Sequence, residues 1–221
     1  MVTEQWPPFR INDATSPSGF RGIDIDIVKK LEEELGVTIE IQRHPWARAL
    51  EMMRNGQADM VTGAARTAER ETFMHYIPAS YFAVRPVFYT QTGKGQFIRS
   101  YQDLNGKSIG YSLHSAYFEP FDSDTNLKKI GLSTEPQLLQ VLALNRLDLV
   151  IGTDPNLSYD RARLGYLDSL EPTSYQPSDK TELFMALSKK SKALEFAPEI
   201  ERILRKFMID GTIDEILKAY R

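Results

Sequence analysis

The stretch "GFRGIDIDIVKKLEEELGVTIEIQ" changes its apolar period part-way along. Ile27, Leu31 and Leu35 fall at i, i+4 and i+8, with Asp24 or Asp26 placed to cap the start and Gly36 where a helix would stop. Val37, Ile39 and Ile41 then alternate, which predicts a strand. A second helix is predicted over residues 47–55, ending at Gly56, and "ADMVTG" follows as a short buried strand. Helix and strand alternate here, so the first part reads as α/β with a parallel sheet.

The grammar repeats. "ALEMMRNGQADMVTGA", from Ala49, and "QVLALNRLDLVIGT", from Gln140, both run from an apolar helix through Asn and Asp into a β-rich run that ends near Gly. Two such units suggest two similar α/β lobes. Between them "DLNGKSIGYS" reads as a turn at Asn105-Gly106 followed by a strand from Lys107 to Tyr111. "ELFMALSK", from Glu182 to Lys189, reads as a strand, and the tail as two helices split by Gly211, with Pro198 in a first turn. No stretch is rich enough in Gly, Pro or Ser to be a flexible linker, so the connections between lobes must be structured.

Composition narrows the function. With 221 residues and 42% apolar positions the chain can build one large core or two small ones. A net charge of −3 with scattered Lys and Arg offers no basic field for nucleic acid. No apolar run approaches the ~18 to 20 residues of a membrane span, and no charged-then-apolar leader opens the chain. An exported protein would therefore have lost its signal. The absence of cysteine excludes disulfides, thiolate chemistry and cysteine zinc sites. The three histidines, His44, His75 and His114, stand apart from one another, so no metal or cofactor is expected. Glycine-rich phosphate loops, nucleophile elbows and HExxH are all missing.

The better candidates are aromatic and basic. Trp6 stands before Pro7-Pro8 at the end of the first strand-like segment, Trp46 follows Pro45, and Arg70 lies just past "DMVTG". In an open α/β sheet ligands bind beyond the carboxyl ends of strands, where all three would lie. The plain alternatives are two core tryptophans, and a surface arginine paired with Glu69 or Glu71.

Five segments, in order, resemble one family. "WPPF" (6–9), "GIDIDIVKKL" (22–31), "TAER" (67–70), "DLNGKSIG" (103–110) and "LNRLDLVIGTDPN" (144–156) are similar to the motifs of the periplasmic solute-binding proteins of the polar amino-acid uptake type, family 3. The resemblance implies an α/β, two-lobed Venus-flytrap of the type II periplasmic binding protein class, each lobe a sheet flanked by helices. Lobe 1 would comprise residues 1–86 and 184–221 and lobe 2 residues 87–183. Two crossing strands, near Val84 to Tyr89 and Glu182 to Ala186, would join them, and the lobes would close on a solute by a hinge.

It also implies a site. The arginine matching Arg70 clamps a solute carboxylate, with backbone N–H groups near Gly63 and Ala65 helping; a guanidinium fork suits that group because two parallel hydrogen bonds fix its position and orientation. Ser115 and Ala116 match a helix start that receives the same carboxylate. Trp6 and Trp46 match residues that sandwich the solute side chain. The aspartate that holds an α-ammonium in relatives falls at Thr153, with the acid displaced to Asp154. Either a small shift brings Asp154 into the site or the ammonium clamp is missing, which would favour amine-free acids. Arg66 lies near the same rim and, pointing inward with Arg70, would suit a dianion; Arg48 fits a helix surface. Glu4 is able to meet a cationic group, and Tyr81 either rims the cleft or packs.

The expected function is thus extracytoplasmic, periplasmic binding of a small polar carboxylate, such as an amino acid, by a monomer that delivers it to an ABC permease. A ligand-sensing ectodomain of a signalling protein is the second reading. A dehydratase-like enzyme is the third, with Glu4, Glu119 and Asp154 the only carboxylates loosely placed for acid catalysis.

Overall fold

A computed structural model describes residues 1–220, and within it the chain forms two compact units, residues 1–83 with 182–220, and residues 84–181. The sequence placed these divisions at 86/87 and 183/184; they fall at 83/84 and 181/182, in the strands Phe82–Gln91 and Thr181–Ser188 that carry the chain out of the first unit and back.

In the first unit the helix Ile23–Leu35 ends at Gly36, whose φ of 65° is the left-handed conformation that closes helices most easily without a Cβ. Ile27, Val28 and Leu31 are buried along one face. Asp24 and Asp26 do not cap this helix as expected, because Gly22 is the capping position and both carboxylates fall inside the first turn. Asp24 is fully buried, while Asp26 accepts a hydrogen bond from the Tyr220 hydroxyl at 2.6 Å.

The helix Trp46–Asn55 buries Trp46, Ala49, Leu50, Met52 and Met53 with Val61, Ala64, Phe73 and Ala186. The strand Met60–Ala64 pairs antiparallel with Thr181–Ser188, which also takes Met74–Tyr76 as an antiparallel partner. Val2–Thr3 and Gln42–Arg43 form a short parallel pair. The alternation at Val37, Ile39 and Ile41 does not become a strand; only Gln42–Arg43 pairs, because its partner strand is two residues long. The helices Ala197–Ile209 and Thr212–Lys218 pack with Ile23–Leu35.

In the second unit the strands run in the order Leu170–Pro172, Phe82–Gln91, Leu149–Asp154, Ser108–Ser112 and Lys128–Leu132. The last three are parallel, whereas the first two pairings are antiparallel. The parallel sheet expected of the first part of the chain forms there only as the two-residue pair Val2–Thr3 with Gln42–Arg43, because the strand Met60–Ala64 takes the returning strand Thr181–Ser188 as an antiparallel partner. The sheet is therefore mixed: a strand that enters from the other unit does not arrive by a crossover helix, so nothing forces it parallel. Successive residues of one strand serve opposite faces. Phe88 and Ile151 join Ile109, Phe118 and Phe121, while Val87, Tyr89 and Val150 join Leu138, Leu139, Leu142 and Leu157. The helices Glu135–Ala143 and Asn156–Arg163 cover the latter face.

Candidate functional site

The strand Met60–Ala64 delivers its last residues into a short loop, and Thr67 then starts the four-residue helix Ala68–Glu71 by accepting the Arg70 backbone N–H at 3.2 Å. This local cap turns the Arg70 side chain inward. Its guanidinium is buried, donates from Nη1 to the Ala65 carbonyl at 2.8 Å, and places Cζ 5.4 Å from the centre of the Trp46 ring. Tyr76 donates to the same carbonyl at 2.8 Å; burial raises its hydroxyl above the usual tyrosine range, while the nearby Arg70 opposes that shift.

The two glutamates beside Arg70 face other arginines. Glu69 pairs with Arg54 at 2.7 Å, and Glu71 pairs with Arg66. Arg66 is thereby held outward in an exposed ion pair, 5.9 Å from the Tyr76 ring, and does not join Arg70 as the second fork of a dianion site.

Trp6 and Trp46 sit differently. Trp46 is buried at a helix start, and its backbone N–H donates to the Glu4 carboxylate at 3.0 Å. Trp6 is half-buried, stacked on Phe9 at 4.5 Å, with the Arg10 guanidinium 5.0 Å from its ring centre. Behind Trp6 lies a network that sequence reasoning missed. Arg10 and Asp24 form a buried ion pair, Arg10 Nε donates to the Glu4 carbonyl at 3.2 Å, and the Tyr81 hydroxyl donates to Asp24 at 2.7 Å. Tyr81 therefore packs inside the unit and is no rim residue.

The Gly63 N–H donates to the Tyr81 hydroxyl at 2.8 Å, and a Cβ on Gly63 would come within 2.7 Å of Arg10 Nη1 and 3.2 Å of the Trp6 ring. Only glycine permits that approach at φ 66°. The signal for this network was present as an arginine and an aspartate each set within an apolar segment, but 14 residues separate them and no periodicity links them.

Burial is the main cause that raises the Glu4 carboxyl to about 7, opposed by Arg10 and by the Trp46 N–H. A folded-state value above the unfolded one means that the folded chain holds its proton longer. The contribution of Glu4 to stability is full below the unfolded value, near 4.5, and is lost as pH rises through about 7. Melting temperatures measured from pH 4.5 to 8 are expected to fall less steeply for Glu4→Gln than for the parent; superimposable profiles would place the Glu4 titration elsewhere.

In the second unit Thr153 is buried and donates to Asn156 at 3.0 Å, and Asn156 in turn donates to Glu135. Asp154 accepts from the Ser158 hydroxyl at 2.5 Å and its N–H at 3.3 Å, so one carboxylate oxygen is engaged with the helix that follows its strand. Ser115 and Ala116 do not begin a helix. The N–H of residue 120 would have to bond the Ala116 carbonyl, and that residue is proline, while the Tyr117 N–H is taken by the Asp122 carboxylate at 2.9 Å. The helix-dipole receptor inferred for these positions is thus absent. Among the described residues no group of three or more His, Cys, Asp or Glu is placed to hold a metal ion, and no helix is long and apolar enough to cross a membrane.

The sequence profile of the bacterial extracellular solute-binding proteins, family 3, matches residues 1–221. The chain belongs to that family. Among curated relatives of this family 3 chain, the arginine-binding extracellular protein ArtP of Bacillus subtilis (strain 168) is 26% identical over 159 residues, which is 69% of this chain and 59% of ArtP. The match thus spans about three-fifths of that relative's length.

Among solved structures, the amino acid ABC transporter substrate-binding protein AbpA from Streptococcus pneumoniae, bound to L-arginine, superimposes with a TM-score of 0.84 at 19% identity, covering 99% of this chain and 92% of that one. A histidine kinase sensor domain with similarity to periplasmic binding proteins reaches the same TM-score at 16% identity, covering 99% and 94%. Likeness at these identities is one of fold, the type II periplasmic binding protein fold, as the five motifs implied.

Proposed function

We propose that this family 3 protein captures a small polar carboxylate, an amino acid first among them, outside the cytoplasm, and delivers it to an ABC permease. It acts by binding alone, as a periplasmic monomer. The observation that carries this reading is the buried Arg70 guanidinium, oriented by Ala65 and lying against Trp46. A desolvated fork beside an aromatic face suits a carboxylate attached to a compact organic body. Trp6, Gly63 and Ala65 belong to the same candidate site, with Glu4 as its acidic neighbour; Thr153 and Asp154 are the candidates from the second unit.

The names of ArtP and the AbpA structure put arginine first in a ligand panel. Thermal-shift assays against the common amino acids and an equal set of amine-free mono- and dicarboxylates test the reading. A solute at a hundredfold excess over its Kd stabilises the native state by ~2.7 kcal/mol. A hit among amino acids is expected, and a hit only among amine-free acids would mean that Asp154 supplies no ammonium clamp. Silence in both sets would overturn the carboxylate reading.

The sensor-domain likeness supports a second reading, a ligand-sensing ectodomain. Stimulation of a reconstituted importer's ATPase by the loaded protein separates the two roles.

A further inference from the structure

The sequence holds two Asn-Gly pairs, Asn55-Gly56 and Asn105-Gly106, and both asparagines are exposed. A glycine after asparagine has no Cβ to shield its nitrogen from the side-chain amide, and it adopts either sign of φ with ease. Hydrogen bonding is what separates the two pairs.

Asn55 is the last residue of the helix Trp46–Asn55, and its Nδ2 donates to Glu51 at 2.9 Å. The Gly56 N–H closes the same helix on the Met52 and Met53 carbonyls, and a Cβ at Gly56 would meet the Lys190 side chain at 2.8 Å. The amide and the nitrogen that follows it are both held. Asn105 and Gly106 instead occupy the centre of the turn Leu104–Lys107, closed by the Lys107 N–H on the Leu104 carbonyl at 3.1 Å. Asn105 at φ −59° and ψ 134°, with Gly106 at φ 74°, gives this turn the type II form. Neither the Asn105 side-chain amide nor the Gly106 N–H has a hydrogen-bond partner among the described residues, and nothing lies within 4 Å of a Cβ built on Gly106. Type I and type II turns share their closing hydrogen bond and differ by rotation of the central peptide. The peptide between Asn105 and Gly106 is therefore able to rotate without releasing the ends of the turn, and along that rotation the Gly106 nitrogen swings toward Asn105 Cγ.

We propose that Asn105 is a site of spontaneous covalent modification in the folded protein, and that Asn55 is protected from the same reaction. The Gly106 nitrogen gives its proton to solvent base and bonds to Asn105 Cγ, while the Cγ–Nδ2 bond breaks and Nδ2 leaves as ammonia. Water then opens the succinimide ring so formed. Cleavage of the new Cγ–N bond leaves aspartate. Cleavage between that nitrogen and the Asn105 backbone carbonyl carbon leaves isoaspartate, with the chain now running through Cβ and Cγ. The net reaction consumes water and releases ammonia, with no oxidant, reductant or enzyme. Either product places a carboxylate two positions before Lys107, and the isoaspartyl form lengthens the backbone just ahead of the strand Ser108–Ser112.

The test incubates the folded protein at mildly alkaline pH and maps its peptides by mass, with aspartyl and isoaspartyl forms separated by chromatography. Conversion at Asn105 is expected to exceed that at Asn55 on the order of tenfold, because hydrogen bonds on both reacting groups must first break at Asn55 and none at Asn105. It is expected to accelerate as pH rises, since the attacking nitrogen must lose its proton. In denaturant, where helix and turn are both lost, the two pairs are expected to react at similar rates. Gly106→Ala, which sets a methyl group beside the nitrogen and disfavours the left-handed turn, is expected to slow Asn105 on the order of tenfold. Equal conversion of the two asparagines in the folded protein, the same preference in denaturant, or an unchanged rate in Gly106→Ala would each overturn the proposal. The turn is independent of Arg70, so failure of either reading leaves the other standing.

Discussion

Replacing Arg70 with alanine is expected to weaken carboxylate binding on the order of 100-fold, by isothermal titration of any solute that the thermal-shift panel identifies. Truncating one partner of a buried, hydrogen-bonded charge pair costs about 2–5 kcal/mol, and tenfold in affinity is about 1.4 kcal/mol. Arg70→Lys is expected to recover only part of the loss, because an ammonium supplies charge without the planar fork. Arg70 is 5% exposed, so little solvent screening softens either change. The control is Arg66→Ala, which removes an exposed ion pair with Glu71 and is expected to shift affinity less than threefold. Equal effects of the two substitutions would remove Arg70 from the site.

The largest effect on stability is expected from Asp24→Ala. Asp24 is fully buried, pairs with Arg10, and accepts the Tyr81 hydroxyl. Its loss leaves a buried guanidinium uncompensated and a buried hydroxyl without its acceptor, a change worth about 3–5 kcal/mol. For a chain of this length that lowers the Tm by roughly 6–20 °C.

The double variant Arg10→Met with Asp24→Leu removes both charges and is expected to recover most of the loss, since apolar replacements of a whole buried pair are often neutral. A double variant as unstable as Asp24→Ala would show that packing at these positions, and not the stranded charge, sets the cost. Because Gly63 and Trp6 both lie against Arg10, the single variant is also expected to disturb the candidate site, whereas Arg66→Ala is not.

The local elements were legible because they rest on short-range periodicity. The helices Trp46–Asn55 and Glu135–Ala143, each followed by its strand, show the same order that the echo in the sequence predicted. Gly56 and Gly211 stand at helix boundaries as read. Where local pattern failed, something beyond the segment decided. Val37 to Ile41 alternates like a strand, but no run of ladder bonds holds it: the Met1 nitrogen reaches the Glu40 carbonyl at 2.6 Å and the Ile39 N–H donates to the Glu32 carboxylate at 2.5 Å, and a strand is defined by its partner strand. Ser115 and Ala116 matched a helix start by resemblance, yet Pro120 and the Asp122 carboxylate impose turns.

The sequence by itself determined the α/β class, the order of helices and strands, and, through five motifs in register, membership of the bacterial extracellular solute-binding proteins, family 3. It also brought Arg70 forward as the arginine that follows a buried strand. Only the tertiary structure decided which carboxylate each arginine meets. Glu69 turns to Arg54, Glu71 to Arg66, and Asp24 crosses to Arg10. Periodicity encodes which face of an element is apolar, but charge pairing depends on side-chain direction and desolvation, and the folded chain creates both by bringing distant segments together.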